Sequence, residues 1–165
     1  MSGSRARATG RVRSILAALI VVAGATGCSH IVVLHDPLTA PEHNDLGVAY
    51  EAQGRFDLAA REYRRALKLD PHHGRARLNL GNVEAAAGRW TRAEREYRRA
   101  LADLPGDPDP LNNLAMALLR LGGDLGEAES LAVRAVGRAT SHDSLYRATL
   151  VEVRAARAAR SSAPR

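Results

Sequence analysis

The sequence predicts an all-α fold: a helical-repeat solenoid of three antiparallel helix pairs, closed by a C-terminal capping helix and preceded by an N-terminal signal helix. Three observations carry this expectation. One pattern is written twice, 34 residues apart: Leu46-Gly47, Gly54, Ala59, Tyr63, Ala66 and Pro71 recur as Leu80-Gly81, Gly88, Ala93, Tyr97, Ala100 and Pro105, with Tyr50 against Glu84 the exception. A fixed period of this length marks a helical-repeat array. Within each copy, apolar residues fall at helical spacing and are punctuated by Gly and Pro. Aromatic residues make up only 4% of the chain, which suits helices packed with Ala and Leu better than a β-sandwich.

The chain opens on an address. Met1 to Arg13 is basic, Ile15 to Ala23 is an uncharged apolar run, and the small residues Gly24-Ala25-Thr26-Gly27 precede Cys28. Such an order makes a secretory signal, expected over residues 1–27. Ala25-Thr26-Gly27-Cys28 resembles a bacterial lipobox, with Ala25 where leucine is usual. The resemblance implies cleavage before Cys28 and a lipid on its sulfur. Ser29, not Asp, follows the cysteine, which implies an outer-membrane lipoprotein facing the periplasm of a two-membrane bacterium. Two other readings stay open: an inert Cys28 thiol behind an ordinary signal peptide, and an uncleaved membrane helix over residues 15–34, interrupted by Gly24, Gly27 and His30. In each case positive charge before the apolar run keeps the N-terminus cytoplasmic and sends the repeats across the membrane. Residues 28–39 should form a tether kept extended by Pro37 and Pro41. His30, His35 and His43, along the tether and the entry to the repeats, are expected to be solvated.

The first repeat is expected over residues 40–73. A helix from Glu42 to Gln53 carries Leu46, Ala49 and Tyr50, and Gly54 ends it. A second helix from Phe56 to Leu69 places Phe56, Ala59, Ala60, Tyr63, Ala66 and Leu67 on one face, before Pro71 turns the chain. The second repeat, 74–107, repeats the logic with Leu78, Leu80, Gly81 and Val83, then Trp90, Ala93, Tyr97, Ala100 and Leu101. Trp90 stands where the first repeat has Phe56 and reads as a packing residue. Glu84 must snorkel or find a partner. The third repeat, 108–142, is worn: Asn112-Asn113-Leu114-Ala115 aligns with Leu78-Asn79-Leu80-Gly81, and an extra residue within Gly123–Gly126 shifts the second helix by one. With that shift Ala128 and Ala135 replace Ala59 and Ala66, Ala132 replaces the tyrosine, and Thr140 replaces the proline. A capping helix comes next over 143–160, with Ser141 or Asp143 as cap and Leu145, Tyr146, Leu150 and Val153 as its apolar stripe. Residues 161–165 should be a disordered tail. A terminal helix of this kind covers the apolar face that a last repeat leaves open. In these positions the chain resembles the tetratricopeptide repeat (TPR) family.

Composition excludes several functions. The formal charge is +6, but four arginines and no acids lie in residues 1–27, so the remainder holds 20 basic against 18 acidic groups. Alternating charges of this kind read as solvated helix faces, without the clustered basic face and stacking aromatics of a nucleic-acid binder. One cysteine rules out an internal disulfide framework. No hydrolase, metalloprotease or phosphate-loop motif is present, so neither enzyme activity, cofactor, metal nor small-molecule substrate is expected. His72-His73, the one histidine pair, sits in a turn where neighbouring side chains diverge.

Function is therefore expected on a surface. The TPR resemblance implies that the first helices of successive repeats line a concave groove for an extended peptide or a partner helix. Projected onto this chain, the groove holds Asn44, Asp45 and Val48, then Arg75, Asn79 and Asn82, then Asn112, Asn113 and Met116, with Arg147 and Val151 closing the row. A carboxamide both donates and accepts, so such a row can pair with a peptide backbone without demanding a sequence. Asn at position 79 is also common in such repeats for helix packing. Some TPR proteins clamp a C-terminal carboxylate with lysines, but Asn44 and Asp109 stand where lysines would be needed. The expectation is a scaffold or adaptor in the cell envelope, in the manner of assembly factors for pilus and secretion systems. The alternative is a structural subunit docking through its convex helix faces.

Overall fold

The computed structural model describes residues 36–139 and 143–162, and among these every regular element is a helix. In order they are α1 (Ala40–Ala52), α2 (Phe56–Leu69), α3 (Gly74–Ala86), α4 (Trp90–Asp103), α5 (Pro108–Leu121), α6 (Leu125–Arg138) and α7 (Asp143–Ser162). The expected signal segment, Cys28, the alternative membrane helix, His30, His35, Thr140 and Ser141 lie outside the described residues. Among the described residues, no helix is long and apolar enough to cross a membrane.

Local chemistry sets the helix ends. α1 begins two residues earlier than expected because Glu42 reaches back to accept from the Thr39 N–H and hydroxyl, each at 2.8 Å. Pro41 in the first turn costs no hydrogen bond there. Asp107 caps α5 by accepting from the Asp109 N–H at 2.9 Å, and Asp124 caps α6 through Gly126 and Glu127. Gly54, Gly88 and Gly122, spaced 34 apart, come after the three first helices with φ of 72°, 72° and 63°. Only glycine takes that backbone without a Cβ penalty. α7 outruns the expected tail boundary to reach Ser162, and Arg160 donates to the Gly122 and Gly123 carbonyls at 3.1 and 3.0 Å.

The second helices bury the alanine face that the repeat pattern predicts. Ala59, Ala66, Ala93, Ala100, Ala128, Ala132 and Ala135 are all fully buried. Tyr63 lies across Gly47 of its own repeat while joining Leu80 and Val83 of the next, and Tyr97 lies across Gly81. In the third repeat both partners change together: Ala115 replaces the glycine and Ala132 the tyrosine. The core clusters lie between Ala40 and Val153, within one compact unit running from Asp36, so the repeats bring their own core.

Several expectations about individual residues are corrected. Phe56 is 45% exposed, because at the first position of α2 it faces an open surface depression beside Gly54, Arg55 and Arg61 instead of the core. Leu145 is 55% exposed; α7 buries Tyr146, Thr149 and Val153 instead. His43 is not solvated but 1% exposed, with Nδ1 2.7 Å from Glu62 Oε2 and Nε2 3.4 Å from Asp36 Oδ2. Glu84 does find partners. Its carboxylate is buried between Arg64, at 2.7 Å, which ties the first repeat to the second, and Arg89 of its own repeat.

Candidate functional site

The helices do not contact each other symmetrically. The backbones of α1 and α3, of α3 and α5, and of α5 and α7 come close, whereas those of α2, α4 and α6 stay apart, with the long Arg98 side chain reaching from α4 to Glu127 of α6. The first helices therefore converge along the inside of the curve and the second helices splay along the outside. α7 takes the place of a fourth first helix.

The structure brings the expected asparagines together, but as partners of each other. Asn79 Nδ2 donates to Asn44 Oδ1 at 3.0 Å, and Asn44 Nδ2 to Asp45 Oδ1 at 3.2 Å. Farther along, Asn113 Nδ2 donates to Asn82 Oδ1 at 2.9 Å, and Asn112 Nδ2 to Asn113 Oδ1 at 3.2 Å. Two carboxamide ladders thus join the first helices of adjacent repeats. Asn44 and Asn112 are buried within them, whereas Asp45 and Val48 are exposed. Asn79 Oδ1 and Asn82 Nδ2 make no bond within the described residues, and both residues are half-buried. They leave one acceptor and one donor facing a backbone of either polarity.

At the second ladder a cavity of about 280 Å³ opens between α3, α4, α5 and α7. Asn82, Trp90, Tyr97, Met116, Leu145 and Thr149 line it together with the ladder. Tyr97 donates its hydroxyl to Asn82 Oδ1 at 3.1 Å, and burial pushes its ionisation well above the usual phenol range. Asn112 Oδ1 is buried, in a residue 4% exposed, and has no hydrogen-bond partner. A buried carbonyl oxygen without a donor is destabilising unless something supplies one.

Arg75 is not available as a free cation. It contacts Asp107 Oδ2 at 2.6 Å and Asp109 Oδ2 at 3.5 Å, and Asp109 also accepts the Tyr146 hydroxyl at 2.6 Å. Burial and that bond push the Tyr146 ionisation up. Arg147 and Val151 are exposed on α7. Sequence reasoning placed Met116 in the groove but missed Trp90, Tyr97, Leu145 and Thr149 as cavity lining. Thr149 comes after Met116 at nearly the repeat distance, and that spacing was the available signal. The two histidines of the turn diverge as expected: His72 Nδ1 lies 2.9 Å from Asp103 Oδ1, and His73 accepts from the Ala76 N–H. Among the described residues no cluster of three metal-ligating side chains exists.

The tetratricopeptide repeat family matches residues 44–108 and, overlapping, 85–144. The chain belongs to the TPR family. No curated protein is significantly similar to it in sequence. Among solved structures, the first TPR of Spaghetti (RPAP3) bound to the HSP90 peptide SRMEEVD is 20% identical, with a TM-score of 0.65 over 74% of this chain and 94% of that one. The first TPR domain of human RPAP3 is 19% identical, with a TM-score of 0.67 over 76% of this chain and 97% of that one. At such identities the likeness is one of fold. TPR domains mediate protein and peptide binding, and the fold is an interaction scaffold.

Proposed function

We propose that this TPR protein is an adaptor in the cell envelope, held to a membrane through lipid on Cys28, that seats an extended segment of a protein partner on its concave face. The cavity beside the second asparagine ladder carries this reading, because it pairs an apolar and aromatic wall with unsatisfied amide groups. An aliphatic side chain would fill the cavity while the segment's backbone bonds to Asn79 Oδ1 and Asn82 Nδ2. Service in assembling a pilus, secretion or envelope complex fits a small tethered scaffold of this kind.

The peptide SRMEEVD seen on the similar RPAP3 domain is acidic, and a segment of that charge is a poor fit here. Asn44 and Asp109 replace clamp lysines, and Arg75 is already neutralised by Asp107 and Asp109. A neutral or basic segment avoids the repulsion from Asp45 and Asp109. Arrayed synthetic peptides of both charge classes test this. Binding of neutral or basic peptides should weaken at least about tenfold, a loss of ~1.4 kcal/mol, in an Asn79→Ala, Met116→Lys double variant that keeps its helix content. Unchanged binding in that variant would remove the groove from the proposal. For the anchor, Cys28→Ala should move the protein out of the membrane fraction that survives a high-salt wash; a variant still lipidated, or a native protein that such a wash strips from membranes, refutes that half.

A further inference from the structure

The splayed second helices carry a charge pattern that the groove does not use. Helices α1, α3 and α5 hold five acidic and three basic residues, whereas α2, α4 and α6 hold seven acidic and ten basic ones. The outer side is thus positive and the inner side negative. Ion pairing sharpens the difference. Of the acids on the outer helices, Glu62, Glu94, Glu96, Asp103, Glu127 and Glu129 are each bound to a basic partner, which leaves Asp57. Hydrogen bonds from Arg98 hold the Glu127 carboxyl below its usual range, and those from Arg154 and Arg157 do the same for Glu129. No further cation is needed to neutralise these acids. By contrast Arg61, Lys68, Arg95, Arg99 and Arg134 are exposed and have no acidic partner among the described residues.

Their placement comes from the repeat. Arg61 and Lys68 lie two turns apart on one face of α2, and Arg95 and Arg99 one turn apart on α4, with Arg95 the 34-residue counterpart of Arg61. Because the backbones of α2 and α4 stay apart, a cleft of about 490 Å³ remains between them, lined by Arg64, Lys68, Arg77 and Arg99, with Leu67 and Leu80 as its apolar walls and Glu96 its one acid. Arg64 and Arg77 are held by Glu84, Asp103 and Glu96, which leaves Lys68 and Arg99 facing the opening.

We infer that this outer face docks on an anionic lipid bilayer, with lipid phosphates at Lys68 and Arg99 and the rest of the stripe within a Debye length of the surface. Charge complementarity selects the occupant: long, unpaired cations spread over three helices match a planar array of phosphates and need no matched partner shape. Each such side chain raises partitioning onto an anionic surface about fivefold, an effect that salt screens. Docking this way would turn the groove toward the aqueous side. It draws on the charge distribution and requires neither the lipid on Cys28 nor a peptide in the groove.

The test uses residues 36–165, which contain the whole core and lack the apolar leader. Co-sedimentation is measured with vesicles of phosphatidylcholine alone and of phosphatidylcholine mixed with phosphatidylglycerol, at low and high salt, with soluble polyglutamate as a separate probe. The native segment should sediment only with the phosphatidylglycerol vesicles and should be released by salt. Lys68→Glu, Arg95→Glu and Arg99→Glu together should weaken partitioning by at least about a hundredfold. Arg120→Glu, which removes the same sign of charge from the end of α5, should change it little. Failure of the native segment to bind the anionic vesicles, or equal binding by the triple variant, overturns the inference. So does binding to polyglutamate without binding to vesicles, which would assign the face to an acidic protein.

Discussion

Gly81 offers the sharpest test of how the repeats are packed. A methyl group placed there would sit 2.5 Å from Tyr97 Cε1 and 2.7 Å from Cδ1. The ring cannot swing away easily, being 3% exposed and tied through its hydroxyl to Asn82. Two effects oppose each other. Ala is the better helix former by ~1 kcal/mol, yet overpacking a core costs ~1–3 kcal/mol. The clash at 2.5 Å should win, so Gly81→Ala is expected to destabilise by up to ~2 kcal/mol. With Tyr97→Ala the ring is gone and only the propensity gain remains, so Gly81→Ala should then stabilise by ~1 kcal/mol. The chain itself contains this double change, as Ala115 with Ala132 in the third repeat. Urea unfolding of residues 36–165, monitored by far-ultraviolet circular dichroism, would measure the cycle, with trimethylamine oxide in all samples to keep truncated variants folded. If Gly81→Ala stabilises the native background, or has the same effect in both backgrounds, the packing argument fails.

The buried charges give two further expected outcomes. His43→Ala leaves buried Glu62 with Arg65 alone and Asp36 with only a 4.0 Å approach to Arg65, so it should cost ~2–4 kcal/mol and hasten proteolysis ahead of α1, both readable by unfolding and limited digestion. Acid should unfold the repeats from a defined direction. Burial works to raise the Asp103 carboxyl, but hydrogen bonds from His72 and Arg77 outweigh it, and Asp124 is held down by the Glu127 and Gly126 N–H groups, with Glu127 and Glu129 lowered by their arginines. Groups whose folded pKa is depressed contribute stability above their unfolded values and lose it as pH falls through the folded ones. Thermal stability should therefore hold through neutral pH and drop below about pH 4; a decline beginning near pH 6 would contradict this assignment.

The helices and their order are written in the sequence. A 34-residue period, helical spacing of alanines and glycine stops are local or strictly repeating signals, so α2 was legible to its end residues and the alanine face to the residue. Even the worn third repeat could be read, because Ala128, Ala132 and Ala135 still fall on one face. The polar residues take their roles from tertiary contacts instead. Asparagines spaced a repeat apart can serve a ligand or each other. Helix convergence on the inner side brings them within hydrogen-bond distance, so the two ladders form and leave Asn79 Oδ1, Asn82 Nδ2 and Asn112 Oδ1 over. The burial of His43 is not legible in its local sequence because Glu62, its close partner, reaches it from the next helix. Glu84 likewise found Arg64 one repeat back. Burial of a polar group depends on which helix comes to lie against it, and a repeat pattern fixes that for the residues that repeat and not for those that differ.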